Sequence, residues 1–215
     1  MAAGKDCSPC ARCAEALGRS CCQPGPSERL ATLTGSDVAR IQASTGLQRE
    51  RFVEAEPLSP GEVVTYEALR PGYRGYFRRT VERWGLRAEH GACLFLGAGG
   101  CTLGASTRPT ACLLYPFEPA EHGWTLAVER SGSVELAASS GEPRCFAAEE
   151  ARGRGALLRS FAFDAEGLTA LIHRLRAEVA AHPEPLGSVK RGAPGTVAGA
   201  AERDRPARLR RSRLR

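Results

Sequence analysis

A stripe of apolar residues recurs at helical spacing near position 170. It consists of Leu168, Leu171, Ile172, Leu175 and Val179. A period of three to four residues is typical of a helix that buries one face. Asp164 precedes the stripe and carries a side chain that caps helix N-termini. The pattern predicts a helix after Asp164 that closes the domain by packing its stripe on the core.

A second helix is predicted between Thr34 and Gly46. Thr34 offers the hydroxyl of an N-cap, and Gly46 provides a C-terminal stop. The modest apolar face of this helix consists of Val38, Ala39 and Ile41. We expect a further helical stretch over residues 48–56, with Phe52 and Val53 directed inward.

The middle of the chain has patterns that predict both short helices and short strands. Residues 62–69 have the pattern of a short amphipathic segment, and residues 76–84 that of a helix ending at Gly85. Apolar runs that flank glycine-containing turns predict two hairpins. Their strands are residues 93–96 with 101–103, and residues 124–128 with 134–137.

These elements define an α+β domain followed by a tail. Beyond His182 the sequence consists largely of Pro, Gly, Ala and Arg, without apolar periodicity. Such a segment cannot bury enough apolar surface to fold. We therefore predict a small cysteine-rich domain of short helices and β-hairpins over residues 5–182, and a disordered basic tail over residues 183–215.

The amino-acid composition indicates the cellular compartment of the protein and the kind of core that it can form. Hydrophobic residues make up 42% of the 215 positions, but aromatic residues only 6%. A core with so few large aromatic side chains gains stability from a metal ion or a disulfide that cross-links it. Neither a secretory signal nor a run of about 18 apolar residues is present. We therefore expect a cytoplasmic protein with no membrane contact, in which thiols stay reduced and bind metal or catalyse more often than they form disulfides.

Nine cysteines form the most informative chemical pattern. Five of them follow the spacing C-x2-C-x2-C-x7-C-C near the N-terminus, and the others come after a gap of about seventy residues. Cysteines spaced by two residues along a loop converge on one centre, as in zinc knuckles and iron–sulfur proteins. Sulfur alone does not choose between these metals. The pattern predicts that thiolates from the two clusters staple the domain around zinc or an iron–sulfur cluster.

Local context refines the roles of individual cysteines. Neighbours in an extended chain point to opposite faces, so Cys21 and Cys22 reach one ion only through a tight bend. They otherwise serve two centres, or one of them is a small buried residue. Cys112 follows Pro109 in a predicted helical turn, where a thiol has a lowered pKa. Arg108 either neutralises the thiolates or forms a surface ion pair.

At this point the chain resembles the YkgJ-type cysteine-cluster proteins, a family described as zinc- or iron-chelating. The resemblance rests on the order of several motifs over residues 7–150: the C-x2-C-x2-C opening, Leu33-Thr34-x-x-Asp37-Val38-x-Arg40-Ile41, Gly46-Leu47, Phe52, Cys93-Leu-Phe95-Leu96, Cys101, Arg108-Pro109-x-x-Cys112, Pro116-Phe117 and Cys145. The family places its vicinal cysteines closer to the opening pair than this chain does. Gly104 also stands where a tyrosine is common, and Leu113 replaces a frequent arginine.

The resemblance implies a set of eight ligands. They are Cys10, Cys13, Cys21, Cys22, Cys93, Cys101, Cys112 and Cys145. Cys7 is then supernumerary, although Cys7 and Cys13 are interchangeable in this assignment. A related cysteine arrangement resembles part of flagellin lysine N-methylases, which implies, as an alternative, an iron–sulfur enzyme that modifies a protein side chain.

Other candidate groups predict less. His90 precedes Cys93 by three residues and would complete a Cys3His site, but a loop position in solvent is the simpler interpretation. His122, His173 and His182 show no ligand spacing and are predicted to lie on the surface. The tail over residues 187–215 carries nine basic and two acidic residues. It offers a salt-dependent contact with nucleic acid as a further alternative, beside a solvated neutral tail.

Overall fold

The computed structural model describes residues 20–24, 29–126 and 151–182, all of which belong to one compact unit of the chain. The architecture mixes helices with small antiparallel hairpins, which confirms the α+β class. No helix in these three ranges is both long enough and apolar enough to cross a membrane. The predicted tail over residues 183–215 lies outside the described residues.

Six α-helices occur in the described ranges. They are α1 (Gly35–Thr45), α2 (Arg49–Phe52), α3 (Pro60–Leu69), α4 (Thr110–Leu114), α5 (Arg154–Ser160) and α6 (Ala165–Ala180). Two 3-10 turns, Pro71–Tyr73 and Tyr76–Arg78, follow α3.

Eight short strands in the same ranges form four antiparallel pairs. The pairs are β1 (Val53–Pro57) with β2 (Glu82–Leu86), β3 (Ala88–Glu89) with β4 (Ala92–Cys93), β5 (Leu96–Gly97) with β6 (Gly100–Cys101), and β7 (Phe117–Pro119) with β8 (Trp124–Leu126). Strands of two or three residues contribute little stability alone, so these hairpins depend on what packs around them.

Helix α1 begins and ends where the sequence predicts. The Thr34 hydroxyl accepts a hydrogen bond from the Asp37 backbone N–H at 3.1 Å, and the Asp37 carboxylate accepts one from the Thr34 N–H at 2.7 Å. This reciprocal pair is a capping box. Gly46 ends the helix in the left-handed conformation, at φ +70°. Ala39 is exposed rather than part of the apolar face, because it lies about 100° around the helix from the buried Val38.

Two predicted helices are strands instead. Residues 48–56 form only one helical turn, α2, before the chain extends into β1, although Phe52 and Val53 are buried as expected. Residues 76–84 likewise leave their 3-10 turn and extend into β2. Pairing between β1 and β2 overrides the local helical pattern, because each strand satisfies the other's backbone groups.

The segment just before α1 pairs with β2 at one position. Thr32 forms an isolated bridge with Gly85, and Leu33 N–H donates to the Trp84 carbonyl at 2.7 Å. The Arg83 side chain is buried and donates to Glu56 at 3.1 Å and to the Thr32 hydroxyl at 3.1 Å. A buried guanidinium is thereby satisfied where α1 enters the fold.

The predicted hairpin between residues 93–96 and 101–103 is partly right. Leu96 pairs with Cys101 as expected, but Cys93 pairs with Ala88 in a separate hairpin. His90 and Gly91 form the tip of that hairpin at φ +52° and +78°, which is the backbone of a type I′ turn. Strand β8 pairs with β7; its predicted partner over residues 134–137 lies outside the described residues.

The buried side chains form two clusters. The first lies around β1, β2 and α1, and its members are Leu30, Leu33, Val38, Ile41, Phe52, Val53, Trp84, Leu86, Cys93, Phe95 and Leu103. The second lies against α6 and consists of Tyr73, Tyr76, Leu114, Phe117, Leu157, Leu168, Ile172, Leu175 and Val179. Helix α6 thus packs its stripe as predicted, with Asp164 as its N-cap.

His182 is buried, although the sequence predicts a surface position for it. Its ring stacks on Tyr76 with centroids 4.0 Å apart, and it contacts the edge of Trp84. The imidazole Nδ1 accepts a hydrogen bond from the Gly35 N–H at 3.2 Å. His182 thereby fixes the C-terminal end of α6 to the first turn of α1, whereas His173 is exposed as expected.

Truncation of the α6 stripe tests this packing. Leu168 is fully buried, so Leu168→Ala should lower the free energy of unfolding by about 3 kcal/mol, because it removes apolar contacts and leaves a cavity. The half-buried Leu171 on the same helix provides a matched control, and Leu171→Ala should cost clearly less. Denaturant unfolding measures both; equal losses would contradict the predicted orientation of α6.

The buried imidazole also predicts a pH dependence. Burial, with a further contribution from the Arg49 charge, lowers the pKa of His182 to about 4. The unfolded chain, with an ordinary histidine pKa, takes up a proton at higher pH than the folded chain. Stability therefore falls as the pH drops from about 6.5 to about 4, by about 3 kcal/mol from this group. His182→Gln should remove that part of the slope, whereas the exposed-site control His173→Gln should keep it; parallel slopes in both variants would refute the assignment.

Candidate metal centre

Four cysteine side chains from three separate segments meet at the edge of the first core. Cys93 is one of its buried members, and Cys22, Cys101 and Cys112 pack against it. The backbone draws two of these segments together, because the Cys93 N–H donates to the Cys22 carbonyl at 2.6 Å. The fold thus brings together soft donors that lie up to ninety positions apart in the chain.

The electrostatics of the thiols reflects this proximity. Burial, followed by the charges of the Cys22 and Cys101 thiolates, raises the pKa of Cys93 to about 11. Burial and the same neighbours, together with Cys93, raise the pKa of Cys112 well above its usual range. The lowered pKa predicted for Cys112 is therefore wrong, because α4 is a single short turn and the desolvation of the sulfur dominates.

A backbone donor already faces one of the sulfurs. The Phe95 N–H hydrogen-bonds to Cys93 and opposes the rise in its pKa. A hydrogen bond to a sulfur favours its charged form and orients it, as the outer-shell partners of metal ligands do. The Phe95 N–H therefore helps to orient the Cys93 sulfur.

The vicinal cysteines face different environments. Cys22 is half-buried against the first core, whereas Cys21 is exposed. Both residues lie in a tight turn, which the Gln23 N–H closes by donating to the Ser20 carbonyl at 2.9 Å, so the segment is bent rather than extended. The structure therefore groups Cys22 with Cys93, Cys101 and Cys112, and leaves Cys21 on the solvent side.

The remaining predicted ligands lie outside the described residues. They are Cys10, Cys13 and Cys145, together with the supernumerary Cys7. His90 is described and exposed at a hairpin tip. Within the described ranges, no group of three or more His, Cys, Asp or Glu side chains is arranged to hold a metal ion.

A buried carboxylate fixes the turn that carries Cys112. One oxygen of Asp37 accepts hydrogen bonds from the Thr34 N–H at 2.7 Å and the Thr34 hydroxyl at 2.8 Å. The other oxygen accepts from the Thr110 N–H at 2.9 Å and from the Arg40 guanidinium. Since Thr110 is the first residue of α4, Asp37 holds the start of the helical turn in which Cys112 lies two residues later.

A second carboxylate extends this network to the C-terminal helix. Glu178 on α6 accepts hydrogen bonds from Arg40 at 2.6 Å, from Arg174 at 2.9 Å and from the Thr110 hydroxyl at 2.8 Å. Burial alone would raise the pKa of Glu178, but the bonds from Arg40, Arg174 and Thr110 lower it below the usual value. For Asp37, by contrast, burial outweighs the hydrogen bonds and raises the pKa.

Sequence reasoning identified Asp37 and Arg40 as motif residues but missed Thr110 and Glu178 as their partners. The separation of 138 positions between Arg40 and Glu178 hides the pairing from any local pattern. One signal is present: Glu178 follows Leu175 by three positions and so falls on the buried stripe of α6. A charged residue at such a position needs a buried partner.

Comparison of this chain with known proteins gives no match. No family model matches the chain, and no curated protein or solved structure matches it at a significant level. The resemblance to the YkgJ-type proteins therefore stays a prediction that rests on the motifs.

Replacement of the central carboxylate tests the network. Asp37→Asn replaces one acceptor oxygen by an amide N–H₂, which then faces either the Thr34 donors or the donors of Thr110 and Arg40. The variant also removes the charge of residue 37, so that Arg40 keeps its ion pair with Glu178 but loses the one with Asp37. We expect the free energy of unfolding to fall by about 3 kcal/mol. Asp164→Asn is the matched control, because Asn caps a helix as well as Asp does, and it should be close to neutral. A near-neutral Asp37→Asn in denaturant unfolding would show that the network does not hold α4.

Proposed function

We propose that this chain binds zinc or an iron–sulfur cluster through cysteine thiolates supplied by separate parts of the domain. The observation that carries the proposal is the meeting of Cys22, Cys93, Cys101 and Cys112 at one edge of the first core. A single cysteine is often just a small buried residue, but four thiols from separate segments also form a set of soft metal donors.

The chemistry of the donors fits these metals. Four thiolates are the ligand set of structural tetrahedral zinc sites and of common iron–sulfur clusters, and hard cations such as Mg²⁺ and Ca²⁺ prefer oxygen. The exposed Cys21 and the sequence-predicted Cys10, Cys13 and Cys145 would provide further ligands if the site holds more than one ion. The donor set does not distinguish zinc from iron.

The role of the metal would be to join elements that are weak alone. Cys22 belongs to the N-terminal loop, Cys93 and Cys101 belong to two-residue strands, and Cys112 lies in the short helix α4. A shared ion would tie these pieces together and remove loop entropy from the unfolded chain. Metal binding and domain stability should therefore rise and fall together.

Metal content of serine variants tests the proposal directly. The full chain is purified anaerobically from cells supplied with iron and zinc, and metal is measured by elemental analysis and ultraviolet–visible absorption. Cys101→Ser and Cys112→Ser should each lose most of the bound metal, because each removes one soft ligand from the four-thiol group. A visible absorption band that bleaches on reduction would identify an iron–sulfur cluster, and a colourless zinc protein would identify zinc.

Cys7→Ser provides the matched control, because the motif assignment leaves this cysteine outside the ligand set; it should keep the metal content of the unaltered chain. The proposal is wrong if the unaltered protein holds neither metal. It is also wrong if Cys101→Ser and Cys112→Ser retain as much metal as the unaltered protein does.

A further inference from the structure

Four exposed arginines lie within one stretch of ten residues, far in sequence from the Arg-rich tail. They are Arg70, Arg74, Arg78 and Arg79, in or directly beside the two 3-10 turns between α3 and β2. No Asp or Glu occurs between Glu67 and Glu82. We call this surface the arginine loop. Its charge is local and does not depend on the cysteines.

Three of the four guanidinium groups are uncompensated. Arg70 forms an exposed ion pair with Glu118 at 3.3 Å. No ion pair or side-chain hydrogen bond is found for Arg74, Arg78 or Arg79 within the described part of the chain. Positive charges concentrated in one short segment raise the local potential, which attracts an anionic partner.

Hydrogen bonds and one buried ring hold the backbone of the arginine loop in place. The Glu67 carboxylate accepts a hydrogen bond from the Gly75 N–H at 2.9 Å and faces the Phe77 N–H at 3.5 Å. Gly75 adopts φ +85°, a conformation that favours glycine. Tyr76 is buried, and its hydroxyl donates to the Leu33 carbonyl at 2.8 Å. A preorganised loop loses little entropy on binding.

We propose that the arginine loop binds the phosphate backbone of nucleic acid, without reading its sequence. The guanidinium fork matches phosphate geometry and binds it bidentately. Tyr73 and Tyr76 are buried, so the loop offers charge to the backbone and no exposed tyrosine ring for stacking on bases. Binding should therefore be electrostatic and similar for different sequences.

An anionic membrane is the competing partner, and the structure favours it less. Helices that lie on membranes present a one-sided apolar face. Helix α3, which leads into the loop, has no such face and no buried residue. The exposed large apolar residues near the loop are Val64 and Leu69 on α3 and Val81 just before β2. Three separate aliphatic side chains are what most protein surfaces carry, so vesicle binding is kept as an outcome of the test below.

The salt dependence of binding tests the proposal in the full chain. The triple variant Arg74→Gln/Arg78→Gln/Arg79→Gln is compared with the unaltered protein on duplex DNA of about 30 base pairs, by fluorescence anisotropy between 50 and 200 mM salt. Three lost phosphate contacts should reduce the slope of log K against log salt by about 2.7. Relative to the variant, the unaltered protein should therefore lose about 40-fold more affinity over that range.

The matched control removes the same charge elsewhere. Arg51, Arg152 and Arg159 are exposed and have no ion pair among the described residues; their triple Gln variant should keep the unaltered slope. The Arg-rich tail is present in every protein compared, so its contribution cancels. The replaced side chains are all exposed, and thermal unfolding should show both variants to be folded.

Equal slopes for the two triple variants would overturn the proposal. So would an arginine-loop variant that binds DNA normally but no longer binds vesicles of phosphatidylserine and phosphatidylcholine, because the partner would then be a membrane. The outcome is independent of metal content, since the arginine loop contains none of the proposed ligands.

Discussion

The buried carboxylate of Asp37 is the constraint on which the rest of this structure depends. It closes the cap of α1 through Thr34, holds the first residue of α4 through Thr110, and anchors Arg40. Arg40 in turn bridges to Glu178 on the C-terminal helix. A buried charge is tolerated only when its hydrogen bonds are complete. The polar network therefore specifies how the N-terminal, central and C-terminal parts of the domain meet.

The cysteines lie in short elements that this hydrogen-bond network stabilises less than it stabilises α1 and α6. Around them the chain has two-residue strands and a single helical turn, which packing alone stabilises poorly. Burial and the neighbouring thiolates raise the pKa values of Cys93 and Cys112, so without a cation these two thiols favour the protonated form. A soft metal ion would supply the missing positive charge and the missing cross-link at once. Polar hydrogen bonds and thiolate ligands would thus divide the task of holding the domain together.

The sequence predicts those parts of the fold whose causes are local. The cap at Thr34, the stop at Gly46 and the stripe of α6 lie within a few residues of the elements that they define, and the structure contains them. Residues 48–56 and 76–84 are predicted to be helical, but each forms only one helical turn before the chain extends into a strand. The difference arises because the two strands pair with each other from about thirty positions away. The same reason hides the burial of His182, which depends on rings contributed by Tyr76 and Trp84.

The candidate site is likewise only partly predictable from the sequence. Spacing and motif order predict Cys22, Cys93, Cys101 and Cys112 as members of one site, and the fold brings these four together. Spacing does not show that Cys21 faces solvent or that Asp37 supports Cys112 through α4, because both follow from tertiary contacts. The central claim, that these thiols are ligands to one metal centre, is tested most directly by X-ray absorption at the edge of the metal that copurifies with the full chain. We predict a first shell dominated by sulfur, at about 2.3 Å if the metal is zinc; a first shell made only of oxygen and nitrogen would contradict it.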